Sequence, residues 1–159
     1  MPYAVNDVLS ETEESNPKVA RRNPRAQDPD VGCVYLASSV QEAQQVSSMV
    51  ESERIRIYHA ATLEDAESKL KRTRSRVLLT NTRFQDGDWK DALEMSVRIR
   101  PQAALVVASR LADEELWLGV LERGAYDLVE KPFQAGHLCR VLHNAHVHAT
   151  MGGLRHMSA

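Results

Sequence analysis

An α/β protein with a parallel sheet covered on both faces is the fold class this sequence predicts. Two observations carry the expectation. From Val31 onward, short apolar runs alternate with stretches of helical periodicity, five of each. The runs are apolar at consecutive positions, as strands buried on both sides must be. Five strands, each followed by a helix, imply a doubly wound sheet with right-handed crossovers.

Cys33 to Ala37 reads as the first strand, and Val40, Ala43, Val46 and Val50 recur behind it at helical spacing. Ile55, Ile57 and Tyr58 mark a second strand. Thr62 is placed to cap a second helix that carries Leu63, Ala66 and Leu70 on one face. Val77 to Thr80 forms a third strand, ended by the turn-like Gln85-Asp86-Gly87-Asp88. Trp89, Leu93 and Val97 trace a third helix that Pro101 closes, because a residue before proline is biased away from the α region. Ala104 to Ala108 is a fourth strand. Residues 112–123 make a fourth helix with Leu116, Val120 and Leu121 inward and Gly124 as its stop. Tyr126 to Val129 is the fifth strand, and residues 135–149 form the last helix.

The chain of 159 residues suffices for one domain with a real core. We divide it into an N-terminal tail (1–31), a folded domain (32–149) and a C-terminal tail (150–159). Three prolines interrupt the polar N-terminal stretch, where Lys18, Arg21, Arg22 and Arg25 form a basic cluster. Such a segment buries too little apolar surface to offset its ordering entropy. With a formal net charge of −2, nucleic acid is expected to bind only weakly, through that cluster. No apolar run approaches the roughly 18 residues of a membrane span, and no secretory leader is evident, so a cytoplasmic location is expected. Cys33 and Cys139 suggest no disulfide framework, and Cys33 reads as a buried small hydrophobe.

In a sheet of this kind, chemistry belongs at the carboxyl ends of the strands. Those ends carry Ser38, Ser39, Asn81, Ser109 and Lys131. The segment Gly124-Ala-Tyr-Asp-Leu-Val-Glu-Lys-Pro-Phe133 resembles the last strand of bacterial response-regulator receiver domains, with its Lys-Pro pair. Arg83-Phe84-Gln85-Asp86-Gly87 is similar to the loop after their phosphoacceptor strand. The resemblance covers roughly residues 31–149 and implies the flavodoxin-like receiver fold, with strand order 2-1-3-4-5. Asn81 to Ser109 spans 28 positions and Ser109 to Lys131 spans 22, intervals ordinary for the family.

Receivers place an acidic pair after the first strand, a phosphoacceptor aspartate after the third, a Ser/Thr after the fourth and a lysine after the fifth. By that resemblance Ser38, Ser39 and Asn81 stand where three carboxylates are expected, while Ser109 and Lys131 are retained. Phosphoryl transfer needs a carboxylate nucleophile and a Mg²⁺ ion held by hard, mostly anionic oxygens. An amide and two hydroxyls supply neither. Lys131, without its usual acids, is expected to donate to the Asn81 side-chain oxygen, to Ser38 or to a backbone carbonyl. Leu128 occupies the switch position, three before the lysine, where the family commonly carries an aromatic ring. Asp86 and Asp88 lie in the adjacent loop, open to an unusual use.

Cys139, His143 and His146 share a face of the last helix with His137 and His148 nearby, but they straddle the edge of the buried stripe. We expect no metal site there, and no other cofactor. No nucleophile motif or glycine-rich phosphate loop argues for an enzyme. Trp117, with Leu128, is the candidate for a partner or homodimer face. The expected function is a phosphorylation-independent pseudo-receiver acting through protein–protein contact. Its alternatives are a small-ligand or metal sensor on the same fold, or the receiver fragment of a longer transcription regulator.

Overall fold

The computed structural model describes residues 30–158. The basic cluster predicted in the N-terminal tail lies outside the described residues. Five parallel strands form one sheet: β1 (Val31–Leu36), β2 (Ile55–Ala60), β3 (Val77–Asn81), β4 (Ala104–Ser109) and β5 (Asp127–Glu130). Their spatial order is β2-β1-β3-β4-β5, the expected 2-1-3-4-5. The helices are α1 (Val40–Val50), α2 (Leu63–Thr73), α3 (Trp89–Ile99), α4 (Glu114–Glu122) and α5 (Ala135–Ser158).

Alternation along each strand sorts the core into two layers. Cys33, Tyr35, Val77, Leu79 and Val106 face α1 and α5, where Val46, Leu138, Leu142 and Ala145 meet them. Val34, Leu36, Leu78, Leu105 and Val107 face α2, α3 and α4, packed on Leu70, Met95 and Val120. Fully burying a Leu or Val side chain stabilises by about 1.5–3 kcal/mol, so both layers contribute to holding the helices on the sheet. Cys33 is wholly buried, and burial pushes its thiol up to about 12, so it serves as core.

Each helix start is fixed by its own sequence. Thr62 caps α2 as expected, accepting from the Asp65 amide at 3.2 Å, and Ser39, read from sequence only as a site residue, caps α1. Asp88 caps α3 in a reciprocal pair with Asp91, and Asp113 caps α4. These caps orient the helix N-termini toward the carboxyl end of the sheet, where the candidate site lies.

Several element bounds depart from the sequence reading, among them α4, which runs Glu114–Glu122 rather than 112–123, and β5, which runs Asp127–Glu130 rather than Tyr126 to Val129. β1 starts at Val31, one residue inside the predicted tail, because Val31 is buried in the core. α5 continues through Thr150 to Ser158, into the segment read as a C-terminal tail, since Met151-Gly-Gly-Leu154 contains no proline to stop it. The turn before α3 is a two-strand ribbon, Arg83–Phe84 against Gly87–Asp88. Val97, read as inward, is 53% exposed, while Ala92, Met95 and Ser96 bury that helix instead.

Two glycines give a test of backbone against packing. Gly124 ends α4 at φ +102°, which only glycine adopts without strain, whereas Gly119 lies inside α4 with nothing within 4 Å of an added Cβ. Gly124→Ala should therefore lower unfolding free energy by about 1 kcal/mol, and Gly119→Ala should raise it by about 0.5–1 kcal/mol. Urea denaturation of both variants measures the two opposite signs.

Candidate functional site

The carboxyl end of the sheet gathers four polar side chains into one closed group. Tyr35 comes from the last turn of pleat in β1 and points toward α1, so its ring is buried while its hydroxyl emerges at the strand ends. Asn81 is the final residue of β3. Glu42 projects from the first turn of α1, and Lys131 directly follows β5.

Lys131 Nζ donates to Glu42 Oε2 in a short ion pair and to Asn81 Oδ1 at 3.1 Å. Asn81 Nδ2 donates to Glu42 Oε1 at 3.2 Å. The Tyr35 hydroxyl has two acceptors in reach, Glu42 Oε2 at 2.9 Å and Asn81 Oδ1 at 2.8 Å, and one proton to share between them. Both carboxylate oxygens and both ends of the amide are thus engaged. The charges balance inside the group, one carboxylate against one ammonium.

The electrostatics follow from partial burial. Side chains of Lys131 and Glu42 are 14% and 25% exposed, so the pair is screened far less than a surface ion pair. Burial alone would raise the Glu42 carboxyl. Hydrogen bonds from Lys131, Tyr35 and Asn81, with the ammonium charge, outweigh it and hold the group below the usual carboxylate range. Burial, followed by the adjacent Glu42 charge, pushes the Tyr35 phenol well above its ordinary value, so it remains a neutral donor.

Of the residues singled out from sequence, the structure joins only Asn81 and Lys131 through their side chains, in the contact expected of them. Ser38 is exposed at the end of β1. Ser39 spends its hydroxyl as the α1 cap, accepting from the Glu42 amide at 3.1 Å. Ser109 is buried, and its hydroxyl accepts from the Leu111 amide at 3.0 Å. The two residues meet through backbone alone, Lys131 N donating to Ser109 O at 2.9 Å. Leu128 is buried against Leu105, Val107 and Val120, so it belongs to the core beneath the candidate partner face and cannot anchor that surface. Trp117, on the outside of α4, is 44% exposed. Asp86 accepts from the Leu63 amide at the start of α2, and Asp88 caps α3, which gives both loop acids structural duties.

Sequence reasoning missed Glu42 and Tyr35. Glu42 is three residues past Ser39, a spacing that reads as an ordinary capping box, which hides a carboxylate aimed elsewhere. Tyr35 reads as one more apolar strand residue. The histidines of α5 are dispersed: His143 meets the Glu53 carbonyl, His148 packs on Tyr126, and Cys139 lies against the Met49 carbonyl. No three His, Cys, Asp or Glu side chains converge among the described residues.

A Mg²⁺ ion is what receivers hold at these strand ends, and the donor set present does not fit it. The single carboxylate is already neutralised by Lys131, the amide oxygen is taken, and the Ser39 hydroxyl is committed to a helix amide. Beside the group lies a cavity of about 380 Å³ lined by Ser39, Gln41, Gln45, Arg110 and Phe133.

Comparison with solved structures places this geometry on the receiver fold. The chain superposes on the signal receiver domain of a Luxo repressor protein from Vibrio parahaemolyticus with a TM-score of 0.70 at 20% identity, covering 80% of this chain and 96% of that one. The receiver domain of NtrX from Brucella abortus gives 0.65 at 23% identity, covering 71% and 96%. The beryllofluoride-activated NtrC4 receiver domain dimer gives 0.68 at 20% identity, covering 74% and 98%. No protein-family profile and no curated protein sequence matches the chain. The structural neighbours are response-regulator receiver domains, and at these identities the likeness establishes the fold.

The lowered Glu42 carboxyl makes a signed prediction. Its folded value lies below the unfolded one of 4.5, so its contribution is complete above pH 4.5 and is lost as pH falls through the folded value. Glu42→Gln should cost about 1–2 kcal/mol at pH 7, modest because the pair keeps some solvent contact. The gap between variant and wild type should narrow steadily below pH 4.5, read by urea melts across the acid range.

Proposed function

We propose that this protein is a pseudo-receiver: a signalling module that works by protein–protein contact on a receiver fold, without accepting a phosphoryl group. The observation that supports it best is the Glu42–Lys131 pair. In receivers the lysine ammonium is one of the groups that meets the phosphoryl oxygens. Here that cation is held by a carboxylate of the same chain, and the acceptor position is an amide whose nitrogen is delocalised into its carbonyl. Glu42 itself is a poor substitute acceptor, because both its oxygens already receive hydrogen bonds.

A domain that cannot be switched by phosphate must keep one arrangement at its strand ends. Lys131 cannot swing toward Ser109 without breaking an ion pair and removing one of the two donors in reach of Asn81 Oδ1. Ser109 is held by the Leu111 amide in the meantime. The usual aromatic reporter is replaced by the buried Leu128, so movement at Ser109 has no exposed ring through which to show itself. Output then depends on a fixed surface. The outer face of α4 offers one, with Trp117 and Leu118 each 44% exposed and Leu111 78% exposed ahead of them. Rigid aromatic side chains are favoured anchors at such contacts, and a receiver-fold relative is known as a dimer. We assign this face to a homodimer or a protein partner, and the setting to the cytoplasm. No enzymatic step is proposed.

Incubation with acetyl phosphate and Mg²⁺ should leave the intact mass unchanged; a stable gain of about 80 Da, mapped to Glu42 or any other residue, would remove the proposal. Light scattering addresses the surface. Trp117→Ala should lower the native assembly mass or weaken partner affinity at least tenfold while the melting curve stays unchanged. Equal assembly and equal affinity would exclude Trp117 from the contact.

A further inference from the structure

Away from the strand-end group, at the opposite, amino end of the sheet, the chain concentrates positive charge. The run Lys69-Leu-Lys-Arg-Thr-Arg-Ser-Arg76 carries five cations in eight positions, and Arg98 and Arg100 follow at the end of α3. Folding brings these two segments side by side. The Arg100 guanidinium donates to the Ser75 carbonyl, and the Arg76 carbonyl accepts from the Ala104 amide. Arg74, Arg76 and Arg100 therefore surround one buried serine. Among the described residues, Glu67 takes Lys71 and Arg98 and Asp65 takes Lys69, but no carboxylate pairs with Arg74, Arg76 or Arg100.

Helix dipoles explain part of this. One cation at a helix C-terminus is favourable, and α2 and α3 both end here. They do not explain three neighbouring guanidiniums that repel one another, an effect visible in Arg100, whose pKa is lowered by burial and then by Arg76 and Arg74. Nor do they explain Arg74 itself. Its backbone is left-handed at φ 58°, where glycine would be unstrained, yet the chain places an arginine there. Acids, by contrast, gather at the helix starts on the far side of the sheet, in Glu42, Glu64, Asp65, Asp91, Glu114 and Glu115. A net charge of −2 conceals this separation.

We infer that the amino end of the sheet, centred on Arg74, Arg76 and Arg100 with Lys71 and Arg72 beside them, binds the phosphate backbone of duplex nucleic acid. Arginine predominates, and its planar fork suits phosphate oxygens. A membrane surface would require apolar side chains to insert, and of the exposed large apolar residues only Val97 lies on α2, α3 or the loops after them that carry the patch. No exposed aromatic ring on those elements offers a stacking platform, which favours a duplex over a single strand. The chain itself adds to the surface. An added Cβ on Gly32 would stand 2.9 Å from Ser75 Oγ, so the start of β1 lies against this patch. The sequence Lys18 to Arg25, with four cations and no acid, joins only five residues before Asp30.

Fluorescence anisotropy with a labelled random-sequence 25-base-pair DNA, using the full chain, tests this. Micromolar binding is expected at 50 mM salt, weakening about a hundredfold or more by 200 mM. Arg74→Gln with Arg76→Gln, which leaves the Arg100 hydrogen bond intact, should weaken binding at least tenfold and flatten the salt slope by about 2, with an unchanged circular dichroism melt. Removing residues 1–27 should weaken binding further. No anisotropy change up to 100 μM protein at 50 mM salt overturns the inference. So does wild-type affinity in the double variant, tighter binding to a single strand than to the duplex, or displacement by polyglutamate at equal charge. None of these outcomes touches the acetyl phosphate test, so the two readings stand or fall separately.

Discussion

The ion pair between Glu42 and Lys131 is the constraint on which the strand ends of this protein depend. A receiver fold leaves a lysine at the end of its last strand, and a half-buried ammonium without an anion is costly. Here α1 supplies the anion from within. Glu42 reaches into the group from the first turn of α1, whose start Ser39 caps. Asn81 and Tyr35 then bond to the pair from the other side. Within the group the charges balance, one carboxylate against one ammonium.

Much of this was legible in the sequence, and the reason is periodicity. Consecutive apolar positions in β1, β3 and β4 announced strands buried on both faces, and Thr62, Pro101 and Gly124 punctuated the helices where the structure ends or begins them. Asn81 and Lys131 were found by counting between strand ends, and they do bond to each other. Glu42 was not found, because a carboxylate three residues after a capping serine has a sufficient local explanation. Tyr35 was hidden by the same logic, its ring satisfying the strand pattern while its hydroxyl served the site.

The misplacements have a common physical source. Sequence assigns a face to a residue but not the depth at which that face is covered. Leu128 lies on the expected strand, yet it is buried in the same core layer as Val120 and Leu105. Val97 fits the helical repeat, yet α3 rolls toward Met95 and Ser96. The basic run after α2 was overlooked because a balanced total charge hides a separated one. Only the fold shows that the arginines following α2 and α3 share one end of the sheet.

A double-mutant cycle on Glu42→Gln and Lys131→Met tests the central claim most directly, with unfolding free energies taken from urea melts at pH 7. A coupling of about 1–2 kcal/mol is expected, each single change costing more than the double variant would suggest. Strict additivity, with coupling indistinguishable from zero, would mean that the pair does not hold the strand ends together and would contradict it.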